Sequence, residues 1–414
     1  MKKILIISEK TSIASLDKAT RNLGYEPIFI YNDVKASIDN HYPFHIIDFF
    51  RQPEIVAKEI LECIGKISGI VSCIEQLTYQ VGEVARILGV EINPLNSYLI
   101  LRDKRKMKKC WIDSGVSTAK FYGTYTKFED IKSEKLSFPL IVKPTFGAAS
   151  AGVQKIDSME SLDVQMKNIA RFNATVLFKE NATKSGCMIE QYISGDEYSV
   201  DTVWINGKPI VDGIMSKGNP SGPLFLDRLY CTEVKMDSQI RELILQESYK
   251  AIRAAGVKNG ATHSEMRVMD GNVYIIEAAL RPGAGGAFYQ IFEKTTGIKY
   301  YEYLIMAYIP ECIKKFQYLH FNYLPSRNLF WYNVTYKGHG IIKNLKIKTF
   351  QENIEGIEKI YYLREVGDYL PEEGKTFSYL VWIFGEFPSN AISNEITRQL
   401  YLESLDDIVQ IEFE

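Results

Sequence analysis

The stretch ATHSEMRVMDGNVYIIEAALRPGAGG (261–286) decides the reading of this chain. Two strand-like runs, THSEMRV and NVYIIEAAL, flank Asp270 and Gly271, a pair that suits a tight hairpin. Side chains alternate along a strand, so His263 and Glu265 share one face of the first run. Glu277 ends the apolar run 273–276 on the second, and a tight turn brings Glu265 and Glu277 near one another. Two carboxylates held close repel unless a cation lies between them. Oxygen ligands of this kind suit Mg²⁺, which keeps several waters and bridges to substrate phosphates. Arg281 follows four residues after Glu277 and offers a planar fork for carboxylate or phosphoryl oxygens. The compact PGAGG turn beyond it lets a substrate approach backbone amides.

Upstream, the pattern is also that of antiparallel hairpins. EYSVDTVWI and KPIVDGIM flank Asn206 and Gly207, a strong type I′ turn signal, and a helix over 239–255 stops at Gly256. Before these, MIEQYISGDEYSVD (188–201) places Glu190 and Gln191 on an apolar strand over 188–193. A turn follows, and then Glu197 and Asp201. The free edge of such a strand suits an adenine and a carboxylate suits ribose hydroxyls. Lys143 ends a further apolar strand and is followed by Pro144 and by the small residues GAASAG (147–152). Residues with almost no side chain let backbone N–H groups approach phosphate oxygens, and a lysine adds a point charge. No GK[ST] follows, so this is not a Walker loop. Both 146–153 and 215–226 have the Gly, Pro and Ser content of lids, and a surface loop is the expected setting of Lys217.

Residues 1–95 alternate strands with helices of 10–15 residues, which implies a parallel sheet covered on both faces. SEKTSIAS follows the first strand, so the GxGxxG dinucleotide fingerprint is absent. Residues 99–116 read as one charged helix closing at Gly115. The last hundred residues hold strands near 329–334, 341–347 and 380–384 and end on a helix near 394–402. The fold class expected is α/β followed by α+β.

Composition narrows the function classes. The chain has 414 residues, 46% hydrophobic and 24% charged, which is ordinary globular composition and long enough for two to four domains. Its 49 Lys+Arg against 51 Asp+Glu leave a net charge of −2, with no basic field for nucleic acid or an anionic membrane. No run approaches a membrane span of roughly 18–20 apolar residues, and the apolar run in MKKILIISEK is too short for a signal peptide, whose h-region takes about 7–15. Six scattered cysteines without a CxxC pair fit a reduced enzyme, so the expected compartment is the cytoplasm.

The ordered set DK…M, IVKP, the small-residue loop, MIEQYISGDEYSVD, THSEMRV and IIEAALRPGAGG resembles the ATP-grasp superfamily. Within it the chain looks most like the carboxylate–amine ligases that include L-amino-acid (dipeptide) ligases. The resemblance covers roughly 1–310. It implies a Rossmann-like pre-ATP-grasp domain over 1–98 and an ATP-grasp domain over 99–310, its small lobe at 118–195. A C-terminal α+β domain over 311–414 would complete the large lobe. It implies ATP clamped between antiparallel sheets, with Lys104 and Lys143 on its phosphates and Gly147, Ser150, Ala151 and Gly152 covering them. Glu190, Gln191 and Ile193 would meet adenine and Glu197 the ribose. Glu265 and Glu277 match the magnesium ligands, and Arg281 matches the arginine that steadies an acyl phosphate. His263 resembles a histidine that lines the substrate site. Many relatives carry ExNxR where this chain has Glu277 to Arg281 with Ala279 between, so the second metal has fewer protein ligands.

The expected cofactors are ATP and one or two Mg²⁺ ions, with Mn²⁺ as the alternative ion. The expected partners are small carboxylates and amines, amino acids foremost, with no nucleic acid and no membrane; a homodimer is left open. Two other readings stay open. One is a biotin-carboxylase-like or purine-pathway enzyme on the same fold, and the other is a nucleotide-binding protein without catalysis.

Overall fold

The computed structural model describes residues 1–8, 10–32, 42–131, 136–147, 150–175, 186–220, 225–321, 324–347, 354–372, 379–392 and 394–414. The chain divides into two compact units. The first comprises Met1–Ala119, Tyr198–Ile214 and Met236–Leu324, and the second comprises Lys120–Glu197, Met215–Lys235 and Pro325–Glu414.

Unit 1 opens with a four-stranded parallel sheet in the order Phe44–Ile46, Tyr25–Tyr31, Lys2–Ile7, Ile67–Ser72. Ile4, Leu5, Ile6 and Ile7 are all buried because helices cover a parallel sheet on both faces, so consecutive positions must be apolar. The helices Pro53–Cys63 and Thr78–Ile87 turn Val56, Ile60, Val81 and Val84 toward it. The charged stretch 99–116 is not one helix. Leu95–Arg102 and Lys104–Asp113 are separated at Asp103, whose extended backbone (φ −100°, ψ 107°) ends the first. Its carboxylate accepts from the Arg105 amide at 2.9 Å and so caps the second, and the charge-rich sequence hides that local competition between cap and helix.

An antiparallel sheet completes unit 1. Asn272–Ala279 pairs with Gly260–Met269, and residues 198–205 and 208–214 follow in that order. Asp270 (φ 51°) and Gly271 (φ 74°) make the turn, with Met269 opposite Asn272. Asn206 (φ 54°) and Gly207 (φ 74°) do the same for the other hairpin. The helix Ser238–Ala254 lays Ile244, Ala251 and Ile252 on this sheet beside Trp111, Trp204 and Met266.

Unit 2 contains an antiparallel sheet ordered Phe121–Tyr125, Cys187–Gln191, Leu140–Pro144, Gln154–Ile156. Leu140, Val142 and Ile189 face the helix Met159–Thr175, which places Ile141, Lys143 and Glu190 on the opposite face. A second set of strands, Leu229–Cys231, Leu329–Val334, Val381–Glu386 and Ile357–Tyr362, joins Ser216 through its pairing with Cys231. A three-stranded sheet of Tyr369–Leu370, Gly340–Ile347 and Val409–Phe413 stands with the helix Glu395–Asp406.

Three further expectations change. The chain ends on the strand Val409–Phe413, not on a helix, because alternating VQIEF finds a partner in Gly340–Ile347. The strand expected over 188–193 stops at Gln191. The expected loop at 215–226 begins as strand, since Lys208–Gly218 runs through it and buries Lys217. Residues 221–224 of that segment and 148–149 of the small-residue loop lie outside the described residues.

Candidate active site

In unit 1 the tight turn at Asp270 and Gly271 alone would pair Glu265 with Ile276, and a one-residue bulge between Glu265 and Met266 shifts the register so that Glu265 stands opposite Glu277. Their side chains are partly accessible, at 19% and 25% exposure. Each is beside a cationic or ionisable group. Lys104, buried at the start of its helix, donates through Nζ to Glu277 Oε1, and His263 Nε2 lies 3.5 Å from Glu265 Oε1. Two half-buried carboxylates in register supply hard oxygen donors, which is the ligand chemistry a magnesium ion takes. These residues therefore fit the ion the resemblance implies.

His263 is fixed from its other nitrogen. Nδ1 lies 2.9 Å from Asp201 Oδ2, and Asp201 Oδ1 accepts the Gly283 amide at 2.6 Å. Burial opposes a charge on the ring, but the Asp201 carboxylate outweighs it, with help from Glu265, and the His263 pKa is raised to about 9. A Cβ at position 283 would lie 2.7 Å from His263 Nδ1 and 2.8 Å from Asp201 Oδ2, so only glycine leaves room for this pair.

Arg281 is held by a residue far away in sequence. Its Nη2 and Nε donate to Glu75 Oε2 at 2.7 and 3.2 Å, and Arg102 Nη1 reaches Glu75 Oε1 at 3.5 Å. Burial pushes the Glu75 carboxyl up, but Arg281, Arg102 and Lys104 hold it below the usual carboxylate range. The Arg281 pKa is raised in turn: burial opposes its charge, and Glu75 restores it. Glu75 opens the turn Glu75–Leu77, just past the carboxyl end of the parallel strand Ile67–Ser72, where ligands of open α/β sheets are met. That position was the signal available in the sequence. Arg102 gave no comparable signal, and Asp201, named in the sequence beside Glu197, meets His263.

Unit 2 carries the other set. Lys143 Nζ lies 2.7 Å from Glu190 Oε2, both side chains being almost inaccessible, as expected for diagonal neighbours on one face of paired strands. Gln191 ends its strand and donates its amide to the Lys120 carbonyl at 2.9 Å, and Ile193 is buried. Tyr192 packs on Phe225 with centroids 5.9 Å apart. Glu197 pairs with Lys217 at 2.5 Å. In the small-residue loop Gly147 (φ 127°), Ser150 (φ 56°) and Gly152 (φ 76°) hold left-handed or otherwise strained backbone, Ala151 lies between the last two, and the Gly152 carbonyl accepts from Gln165 Nε2 at 2.9 Å. Thus Lys104, His263, Glu265, Glu277 and Arg281 belong to unit 1. The remaining site candidates belong to unit 2.

Residues 136–289 match the family model described as an ATP-grasp domain. The chain is 24% identical over 252 residues to alanine–anticapsin ligase of Bacillus subtilis, covering 56% of this chain and 53% of that protein. It is 25% identical over 194 residues to D-alanine–D-alanine ligase of Ectopseudomonas mendocina, covering 44% and 56%. The match thus spans about half the length of these curated relatives. The crystal structure of L-amino acid ligase from Bacillus licheniformis superposes with a TM-score of 0.80 at 21% identity, covering 100% of this chain and 99% of that one. Among the described residues no helix is long and apolar enough to cross a membrane. Residues 136–289 thus match an ATP-grasp domain, and the chain shares the fold of the solved L-amino acid ligase.

Proposed function

We propose that this chain is an ATP-dependent carboxylate–amine ligase that joins amino acids or close analogues and releases ADP and phosphate. The observation that carries the reading is the opposed pair Glu265 and Glu277, with Lys104, His263 and Arg281 around it. Alanine–anticapsin and D-alanine–D-alanine ligases among the relatives support amino acids as the substrate class.

The chemistry has two displacements. A substrate carboxylate oxygen attacks the γ-phosphorus of ATP, the bond to the β–γ bridging oxygen breaks, and ADP leaves from an acyl phosphate. The amine nitrogen then attacks the acyl carbon, the carbon–oxygen bond to phosphate breaks, and the amine proton is lost as phosphate departs. Glu265 and Glu277 would hold a magnesium ion, which would supply charge neutralisation for the phosphoryl oxygens. Arg281, oriented by Glu75, presents fixed donors to the charge that develops on the acyl-phosphate oxygens. His263, held by Asp201, lines the acyl position. We assign Lys143 and Lys104 to nucleotide phosphates, Glu190, Gln191 and Ile193 to adenine, Glu197 to the ribose, and 147–152 to the cover over the phosphates. The compartment we propose is the cytoplasm.

A phosphate-release screen of amino acids in pairs, with ATP and Mg²⁺, tests the reading. Phosphate release that requires both a carboxylate and an amine supports it. Release driven by bicarbonate without an amine contradicts it.

A further inference from the structure

Lys217 lies near the end of the strand Lys208–Gly218, and its side chain is 2% exposed. Its Nζ is 2.5 Å from Glu197 Oε1 and 2.6 Å from Asp227 Oδ1, and 5.2 Å from the ring centroid of Tyr230. Both carboxylates are themselves about nine-tenths buried, at 10% and 11% exposure. A buried ammonium is costly unless paired, and so is each buried carboxylate, so the trio resists rearrangement. The backbones that carry it are anchored as well. Ser216 pairs with Cys231, the Asp227 amide donates to the Tyr379 hydroxyl at 3.2 Å, and Asn333 donates to the Asp227 carbonyl. One oxygen of Glu197 therefore has a fixed direction, set by a lysine twenty residues further along the chain.

A carboxylate fixed before its ligand arrives loses less freedom on binding and accepts hydroxyls only where they fit. We infer that Lys217 is a positioning residue for nucleotide selection: it orients Glu197 toward the ribose hydroxyls, so the preference for a ribonucleotide over its 2′-deoxy counterpart depends on Lys217. This deepens the proposed function and rests on its assignment of Glu197 to the ribose.

Calorimetric titration of the full chain with ADP and with 2′-deoxy-ADP, both in Mg²⁺, tests the inference. The wild type is expected to prefer ADP by about tenfold, the order of one hydrogen bond to a charged group. Lys217→Met lowers that preference to about twofold by weakening ADP while leaving 2′-deoxy-ADP nearly unchanged, and Lys217→Arg keeps most of it. Lys217→Gln retains an amide donor, gives an intermediate preference, and decides the question if Lys217→Met does not fold. Equal weakening of both nucleotides overturns the inference, because the lysine then acts on the phosphates. A preference kept by both neutral variants but erased in Glu197→Gln overturns the positioning role while leaving Glu197 on the ribose. A preference that survives Glu197→Gln removes the ribose assignment itself, and the inference with it.

Discussion

Lys104 donates through Nζ to Oε1 of Glu277, a residue 173 positions away that stands in register with Glu265. The lysine therefore holds a carboxylate that the proposed reaction gives to a metal ion. Lysine and ion compete for that oxygen unless the lysine moves onto phosphate. Replacing Lys104 by Met should tighten Mn²⁺ binding to the nucleotide-free protein by about tenfold, equivalent to ~1.4 kcal/mol. Electron paramagnetic resonance titration reads this directly, and unchanged affinity would place the ion elsewhere.

In the proposed reaction Arg281 and the two carboxylates act on charge that develops during phosphoryl transfer. Arg281→Ala and Glu277→Ala should each lower turnover by roughly 100–1,000-fold, the usual effect of removing one preorganised electrostatic group. Coupled ADP-release kinetics and circular dichroism separate this from unfolding. Near-normal turnover in either variant refutes the site assignment.

The Glu75–Arg281 contact predicts a stability effect independent of catalysis. Glu75→Gln leaves the guanidinium groups of Arg281 and Arg102 in a buried setting without their carboxylate. Breaking one side of a buried pair costs about 3–5 kcal/mol, which urea unfolding can resolve. A loss below about 1 kcal/mol would mean that water already screens the pair.

His263 ties stability to pH. Its pKa is raised to about 9 in the folded chain against an ordinary value near 6.5. A group with a raised folded pKa stabilises fully below its unfolded pKa and loses that contribution as pH rises through the folded one. Unfolding midpoints of the metal-free protein should therefore fall between about pH 6.5 and 9, and Asp201→Asn should flatten that fall. Parallel pH curves for the two proteins would show that Asp201 does not hold the charge.

Gly283 offers a steric test of the same pair. A methyl group there would press on His263 Nδ1 and Asp201 Oδ2 at under 3 Å. Gly283→Ala should cost about 1–3 kcal/mol by overpacking and should lower turnover by displacing the imidazole. An alanine variant with wild-type stability and rate would contradict this geometry.

What the sequence made legible was local. Turn-forming Asp270 and Gly271 and strand alternation brought Glu265 and Glu277 close, but the turn's own register sets Glu265 against Ile276, and the bulge beside Met266 that puts Glu277 opposite it left no mark in the sequence. The same logic found the parallel N-terminal sheet and Lys143 at the end of its strand. It did not reach Glu75, which meets Arg281 across 206 residues, since such contacts come from packing of distant elements. Lys217 looked like a loop residue for a related reason. Its serine, glycine and proline neighbours hide a strand whose partner, Cys231, lies beyond the intervening segment. Asp103 broke a helix that charge pattern alone would continue, because its side chain caps the next one.

The most direct test of the whole account is product stoichiometry by mass spectrometry. The wild type, given ATP, Mg²⁺ and the amino-acid pair most active in the phosphate-release screen, should form one ADP and one phosphate per amide bond, and Glu277→Ala should lose amide and ADP together. AMP with pyrophosphate as products, or amide formation undiminished in Glu277→Ala, would contradict it.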